Sequence, residues 1–258
     1  MDLFSFDPAT IMSFILTLFR ISIMLFLLPF FGGQSIPLQI KGAFCIVVTL
    51  AIWPHVGFDG NAFPPSGWML ALMLLGEVVL GMVMGLLVRF VFGAIQTGGQ
   101  LIGFQMGFAM VTVVDPMSGV SEAATAHFLY MISILTFLVL NGHLLLLSSV
   151  AESFRIIPPG GMFFSAGLTH TVLGLSTQLF VLAVKIAAPV MAALFLVDLA
   201  LALVGRAAPQ MNVLMLGFPL KISVGFFFLS MVFTLMSLHL QEFIAGMPAM
   251  IRNVLQGW

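Results

Sequence analysis

Apolar residues run along this chain in long blocks, not in the strict alternation of a half-buried strand or the narrow stripe of a soluble helix. Crossing a bilayer as a helix takes about 20 mostly apolar residues. Candidate segments are residues 9–28, 38–53, 68–95, 127–147, 171–204 and 213–240, with a weaker apolar stretch at 101–114. None is a clean span flanked by charge. Segment 38–53 is short, and 171–204 exceeds one straight crossing and carries Lys185, Pro189 and Asp198. The pattern predicts six or seven helices, some of them broken.

Glycine and proline punctuate these blocks for backbone reasons. Turn regions are expected at Pro29, Gly32, Gly33 and Pro37; at Pro54, Gly57, Gly60, Pro64 and Pro65; at Asp115, Pro116 and Gly119; and at Pro158, Pro159, Gly160 and Gly161. The last of these divides the chain into 1–160 and 161–258. A short hairpin turn is expected at 207–212, centred near Pro209 and Gln210.

Composition sharpens the picture. Of 258 residues, 61% are apolar and 7% charged, and the net charge is -1. An ordinary soluble domain is about a quarter charged; a chain this poor in charge presents its surface to lipid or to other protein. No basic nucleic-acid footprint exists. The acidic N-terminus, with Asp2 and Asp7, is unlike a cleavable signal peptide. Lys41, Arg155, Arg206 and Arg252 read as loop residues after different segments, so no positive-inside bias orients the chain. The lone cysteine, Cys45, reads as a small buried apolar residue.

Few residues carry chemistry. The five histidines lack metal-ligand spacing, and no nucleophile elbow, phosphate loop or dinucleotide fingerprint occurs. No catalytic, cofactor or metal site is expected. Glu77, Gly81, Gly85, Arg89 and Gly93 recur every four residues and form one helical ridge. Gly81 and Gly85, and again Gly99, Gly103 and Gly107, have the spacing that lets helix backbones approach closely, within the chain or against a neighbouring subunit. Glu77 and Arg89 lie about 18 Å apart along that helix. Each needs a partner elsewhere, because an unpaired charge in a membrane is costly.

The hairpin makes a metric prediction. Asp198 lies eleven residues before Pro209, and Lys221 eleven after Gln210. Residues equidistant from an antiparallel turn share a depth, so the two are expected to pair. The same arithmetic sets Lys185 against Thr234, which cannot neutralise it. Pro189 removes the hydrogen bond to the Lys185 carbonyl and favours a kink. Lys185 then reads as an interface residue, a transport site or a snorkelling cation. Residues 105–116 (QMGFAMVTVVDP) read as an irregular Met- and Phe-bearing stretch, either an ordinary buried loop or a deformable seal.

Several stretches together resemble the FliR family of type III export-gate proteins: KIAAP at 185–189, Asp198, RAAPQMNV at 206–213, GFPLKI at 217–222, GFQMGFAMVTVVDP at 103–116 and NGHL at 141–144. The resemblance covers nearly the whole chain in order and is specific as a combination. It implies an all-α, polytopic, membrane-associated protein with broken helices, its residues 1–160 similar to FliP and its residues 161–258 similar to the FliQ hairpin. It further implies a bacterial inner-membrane assembly at the flagellar basal body, with FliP- and FliQ-type partners and an FlhB-type protein. Unfolded flagellar proteins would pass through it, and the chain would need no cofactor. On that resemblance the loop at 106–116 is the channel plug, with Met106, Phe108, Met110 and Val111 as its candidate residues. Glu77, Arg89, Lys185, Asp198, Arg206 and Lys221 become candidates for interfaces or charge pairs. Injectisome relatives share the pattern; the NGH motif favours the flagellar branch. A stand-alone secondary transporter using Lys185, Asp198 and the Pro189 kink is the competing reading. An intramembrane enzyme would need a clustered nucleophile or metal set that the sequence lacks.

Overall fold

A computed structural model describes residues 8–32, 36–56, 66–108, 124–161 and 166–256. Seven α-helices account for nearly all of the described residues: α1 (Pro8–Leu27), α2 (Leu38–Ile52), α3 (Gly67–Met106), α4 (Ala124–Val139), α5 (Gly142–Ile156), α6 (Ala166–Ala207) and α7 (Val213–Gln256). A 3-10 turn, Trp53–His55, follows α2. No strand occurs among the described residues. Five helical segments among the described residues, α2 counted with the 3-10 turn that follows it, are long and apolar enough to cross a membrane, which makes this a polytopic helical membrane protein.

Three differences from the sequence reading stand out. The stretch expected to be weak and separate from 101 onward is, as far as Met106, the continuous end of α3. Gly98, Gly99 and Gly103 do not interrupt that helix, because close packing at Gly98 and Gly99 offsets their poor helix propensity. The block 127–147 is two helices, not one. Asn141 adopts a left-handed conformation (φ 55°) and breaks the backbone between α4 and α5. Finally, Lys41, Arg155 and Arg252 lie inside α2, α5 and α7, and Arg206 in the last turn of α6, so none of the four is a loop residue. Helix α6 runs through Pro189 without interruption.

At about 1.5 Å per residue, α3, α6 and α7 are each about 60 Å long or more, roughly twice the apolar thickness of a bilayer. Two compact units form. One comprises Met1–Phe90, Asn141–Leu175 and Ile244–Trp258; the other comprises Val91–Leu140 and Ser176–Phe243. Each unit takes segments from both sides of the 158–161 turn.

In the first unit, α1 lies directly on the N-terminal half of α3. A Cβ added at Gly81 would come 2.5 Å from the Arg20 carbonyl oxygen, and one at Gly85 would come 2.6 Å from the Leu27 Cβ. The GxxxG pair therefore packs two helices of the same chain. Leu16, Ile21, Met24, Leu80, Met84 and Val88 are fully enclosed there. Trp53 donates from Nε1 to Ser13 Oγ (2.8 Å) and meets the Phe14 ring edge-on, which ties the turn after α2 to α1. In the second unit, Gly99 admits the backbone of α4 at Ala126, and Thr125 Oγ1 donates to the Gly99 carbonyl at 2.9 Å. Gly98, one residue off that ridge, receives α6 at Ala183 and Ile186. Phe92 stacks edge-on with Phe137 and Tyr130.

Candidate functional site

Two polar clusters among the described residues hold the charges that the sequence singles out and that find partners, one in each unit. In the first unit the partner of Glu77 is Arg20. Arg20 Nε donates to Glu77 Oε2 at 2.5 Å, and Nη2 donates to Oε1 at 3.1 Å, a two-pronged pair. The remaining guanidinium nitrogen, Nη1, donates to Ser153 Oγ (3.2 Å) and to the Ile157 carbonyl (3.0 Å). Glu77 Oε1 also accepts the Gly160 amide at 2.8 Å. The Phe154 ring lies 4.1 Å from the guanidinium carbon, a cation–π contact. Both side chains are essentially sealed, at 0% and 1% exposure. Charges this deep persist only when paired and fully hydrogen-bonded. The network fastens α1, α3, α5 and the turn after α5. Gly160 suits that turn because its φ is +79°, a conformation that favours glycine.

Of this network sequence reasoning singled out Glu77 alone; it missed Arg20, Ser153, Phe154, the Ile157 carbonyl and the Gly160 amide. The usable signal was present: Arg20 is the one charged residue between Pro8 and Leu28.

The second site lies in the hairpin unit. Asp198 and Lys221 form an ion pair across α6 and α7, as the equal distances from the turn require. Gln105, one residue before the end of α3, donates from Nε2 to the other carboxylate oxygen of Asp198 at 3.3 Å. This pair is partly open to its surroundings, with Lys221 at 22% and Asp198 at 37% exposure. It borders a cleft of about 250 Å³ whose other walls include Leu201, Gly217 and Phe218. Next to it, α3 ends in a Schellman cap. The Phe108 amide donates to the Gly103 carbonyl, and the Gly107 amide to the Phe104 carbonyl, with Gly107 at φ +93°. Met106 is fully buried and lies against Gly225; a Cβ there would come 2.7 Å from the Met106 side chain. The Phe218 ring covers Gly107.

Other expected residues are not drawn into either cluster. Arg89, Lys185 and Arg206 are exposed and have no ion-pair partner among the described residues. Gly103 is buried within α3. Of the four residues assigned to a plug, Met106 and Phe108 are described, while Met110 and Val111 lie outside the described residues. No group of histidine, cysteine, aspartate and glutamate capable of holding a metal occurs among the described residues. Cys45 is buried and free.

The outer faces of the long helices remain apolar. Phe180, Val184, Phe195, Leu199 and Leu203 of α6 and Phe226, Phe227 and Met231 of α7 are all exposed. In the apolar windows of α6 and α7 only 28% and 22% of residues are buried, against 50% in α3. Surface of this kind needs lipid or other subunits to cover it.

Comparison with known proteins gives a consistent answer. Residues 11–247 match the family described as bacterial export proteins, family 1. The flagellar biosynthetic protein FliR of Bacillus subtilis (strain 168) is 32% identical over 220 residues, covering 84% of this chain and 84% of that protein. The FliR of Escherichia coli (strain K12) is 30% identical over 208 residues, covering 81% and 79%. That of Aquifex aeolicus (strain VF5) is 30% identical over 249 residues, covering 92% and 94%. A polytopic helical chain that matches one export family along almost its whole length belongs to the FliR family of bacterial export proteins.

Proposed function

We propose that this chain is a subunit of the flagellar type III export gate. In the inner membrane at the basal body it combines with FliP- and FliQ-type subunits, and with an FlhB-type protein, around a channel for unfolded flagellar proteins. Its first 160 residues take a FliP-like part and residues 161–258 a FliQ-like part. The loop at 106–116 closes the channel, with Met106, Phe108, Met110 and Val111 as its candidate residues; Met106 is packed against Gly225 and so anchors the base of the loop. The observation that carries this reading is the family match over residues 11–247 in a chain whose long helices expose apolar faces. Exposed Arg89, Lys185 and Arg206 then pair with carboxylates or carbonyls of neighbouring subunits, since a cation on an apolar face is costly when left alone. Helices of about 60 Å also favour an oblique, partly extramembrane assembly over a simple bundle of spans.

A genetic test follows. In a bacterium made non-motile by deletion of its own FliR gene, this chain restores flagellin secretion and swimming, provided that its FliP- and FliQ-type partners are supplied. Failure to restore secretion in an assembled complex contradicts the reading. Solute uptake by the purified chain alone in liposomes points to a stand-alone transporter instead.

A further inference from the structure

The last turn of α3 is gripped by one ridge of α7. Phe218, Lys221 and Gly225 follow each other at three and four residues and so share a helix face. Phe218 covers Gly107, Lys221 reaches Gln105 through Asp198, and Gly225 receives Met106. Three consecutive residues at the end of α3 and its cap thus lie along one face of α7, two in direct contact and Gln105 by way of Asp198 of α6. Two of these contacts are matters of shape. Met106 fills a notch that only glycine leaves open, and Gly107 holds a backbone conformation that side chains resist. The third is different in kind. Gln105, Asp198 and Lys221 are polar, partly exposed, and border an open cleft.

A polar contact that water can reach is weak and reversible. One made in a single conformation biases the equilibrium by its own strength and no more. We propose that Gln105, Asp198 and Lys221 form a releasable clamp on the C-terminal end of α3, and that this clamp sets how readily the gate opens. The clamp rests on the gate reading given above. Its members are positioning residues: they act through the placement of Gln105, Met106 and Gly107, not by touching an exported chain. Glycine and methionine keep the end of α3 in register, while the ion pair supplies the part that yields. The arrangement tolerates inversion, because the Gln105 amide can offer its oxygen to a lysine as readily as its nitrogen to a carboxylate.

The test uses the gate assembled with its FliP- and FliQ-type partners, reconstituted in planar lipid bilayers, with potassium chloride current as the readout. Asp198→Asn and Lys221→Met each raise the conducting fraction about two- to fivefold, in keeping with a partly exposed pair. Gln105→Ala raises it less. The double reversal, Asp198→Lys with Lys221→Asp, returns the current to the parent level. A reversed chain that assembles yet leaks as much as Asp198→Asn overturns the clamp. So does an unchanged current in both single variants when deletion of residues 109–115 opens the channel; the gate reading then stands without the clamp. An unchanged current after that deletion removes the plug reading and the clamp with it. Should Asp198→Asn fail to assemble, Lys221→Met and the reversed pair decide the matter.

Discussion

Two of the ion pairs among the described residues, Arg20–Glu77 and Asp198–Lys221, are built on opposite terms. The Arg20–Glu77 pair is sealed, two-pronged and satisfied at each remaining oxygen and nitrogen that the turn and α5 can reach. The Asp198–Lys221 pair is partly exposed and leans on one glutamine. Burial is what separates them. A sealed charge left without its partner costs several kcal/mol, because nothing replaces the lost hydrogen bonds. A partly exposed charge can turn to water, and its pair contributes about 1 kcal/mol or less. One network therefore suits permanent construction, the other adjustment.

Substitution at the sealed pair is the largest expected effect and the sharpest way to break this contrast. Arg20→Met destabilises the purified protein by about 3–5 kcal/mol, read as loss of the folded fraction in thermal unfolding in detergent. Replacing both Arg20 and Glu77 with methionine recovers part of that loss, since no buried charge then stands alone. A single variant as stable as the parent ends the claim that the network holds α1, α3 and α5.

Next in size is the glycine seam. Gly81→Ala brings a methyl group against the Arg20 carbonyl, which is backbone and cannot turn aside. The cost is about 1–3 kcal/mol, with α1 pushed off α3 and the Arg20 network loosened. Gly246→Ala, inside α7 where a Cβ meets open space, serves as the control and is neutral or stabilising by up to about 1 kcal/mol. Equal effects at the two glycines contradict the close approach of α1 and α3.

Gly107→Ala comes third, at about 1–2 kcal/mol, from its positive φ and the Phe218 ring above it. The smallest effect belongs to Asp198→Asn. It lowers unfolding stability by no more than about 1 kcal/mol, although it raises channel leak. A loss as large as that of Arg20→Met makes the two pairs alike and removes the distinction between construction and adjustment.

Much of this was legible in the residues, for identifiable reasons. The bounds of α1 and α2 and the start of α7 followed from apolar blocks and from the positions of glycine and proline, because backbone sterics act locally. The Asp198–Lys221 register followed from counting outward from Pro209, since a tight antiparallel turn leaves little freedom. What stayed hidden depends on distant packing. Helix α3 continues through Gly99 because Ala126 of α4 sits directly on it, and no local pattern carries that contact. The break at Asn141 hid inside an apolar block, although the Asn–Gly pair is a turn signal in its own right. Arg20 was conspicuous as a lone cation, yet its pairing with Glu77 depends on how closely α1 approaches Gly81.

The central claim is that this chain acts only as part of a gate. Native mass spectrometry in detergent, after co-expression with FliP- and FliQ-type chains, addresses it most directly. The account predicts one copy of this chain retained in a complex with several copies of each partner. A stable, solitary chain that leaves both partners unbound contradicts it.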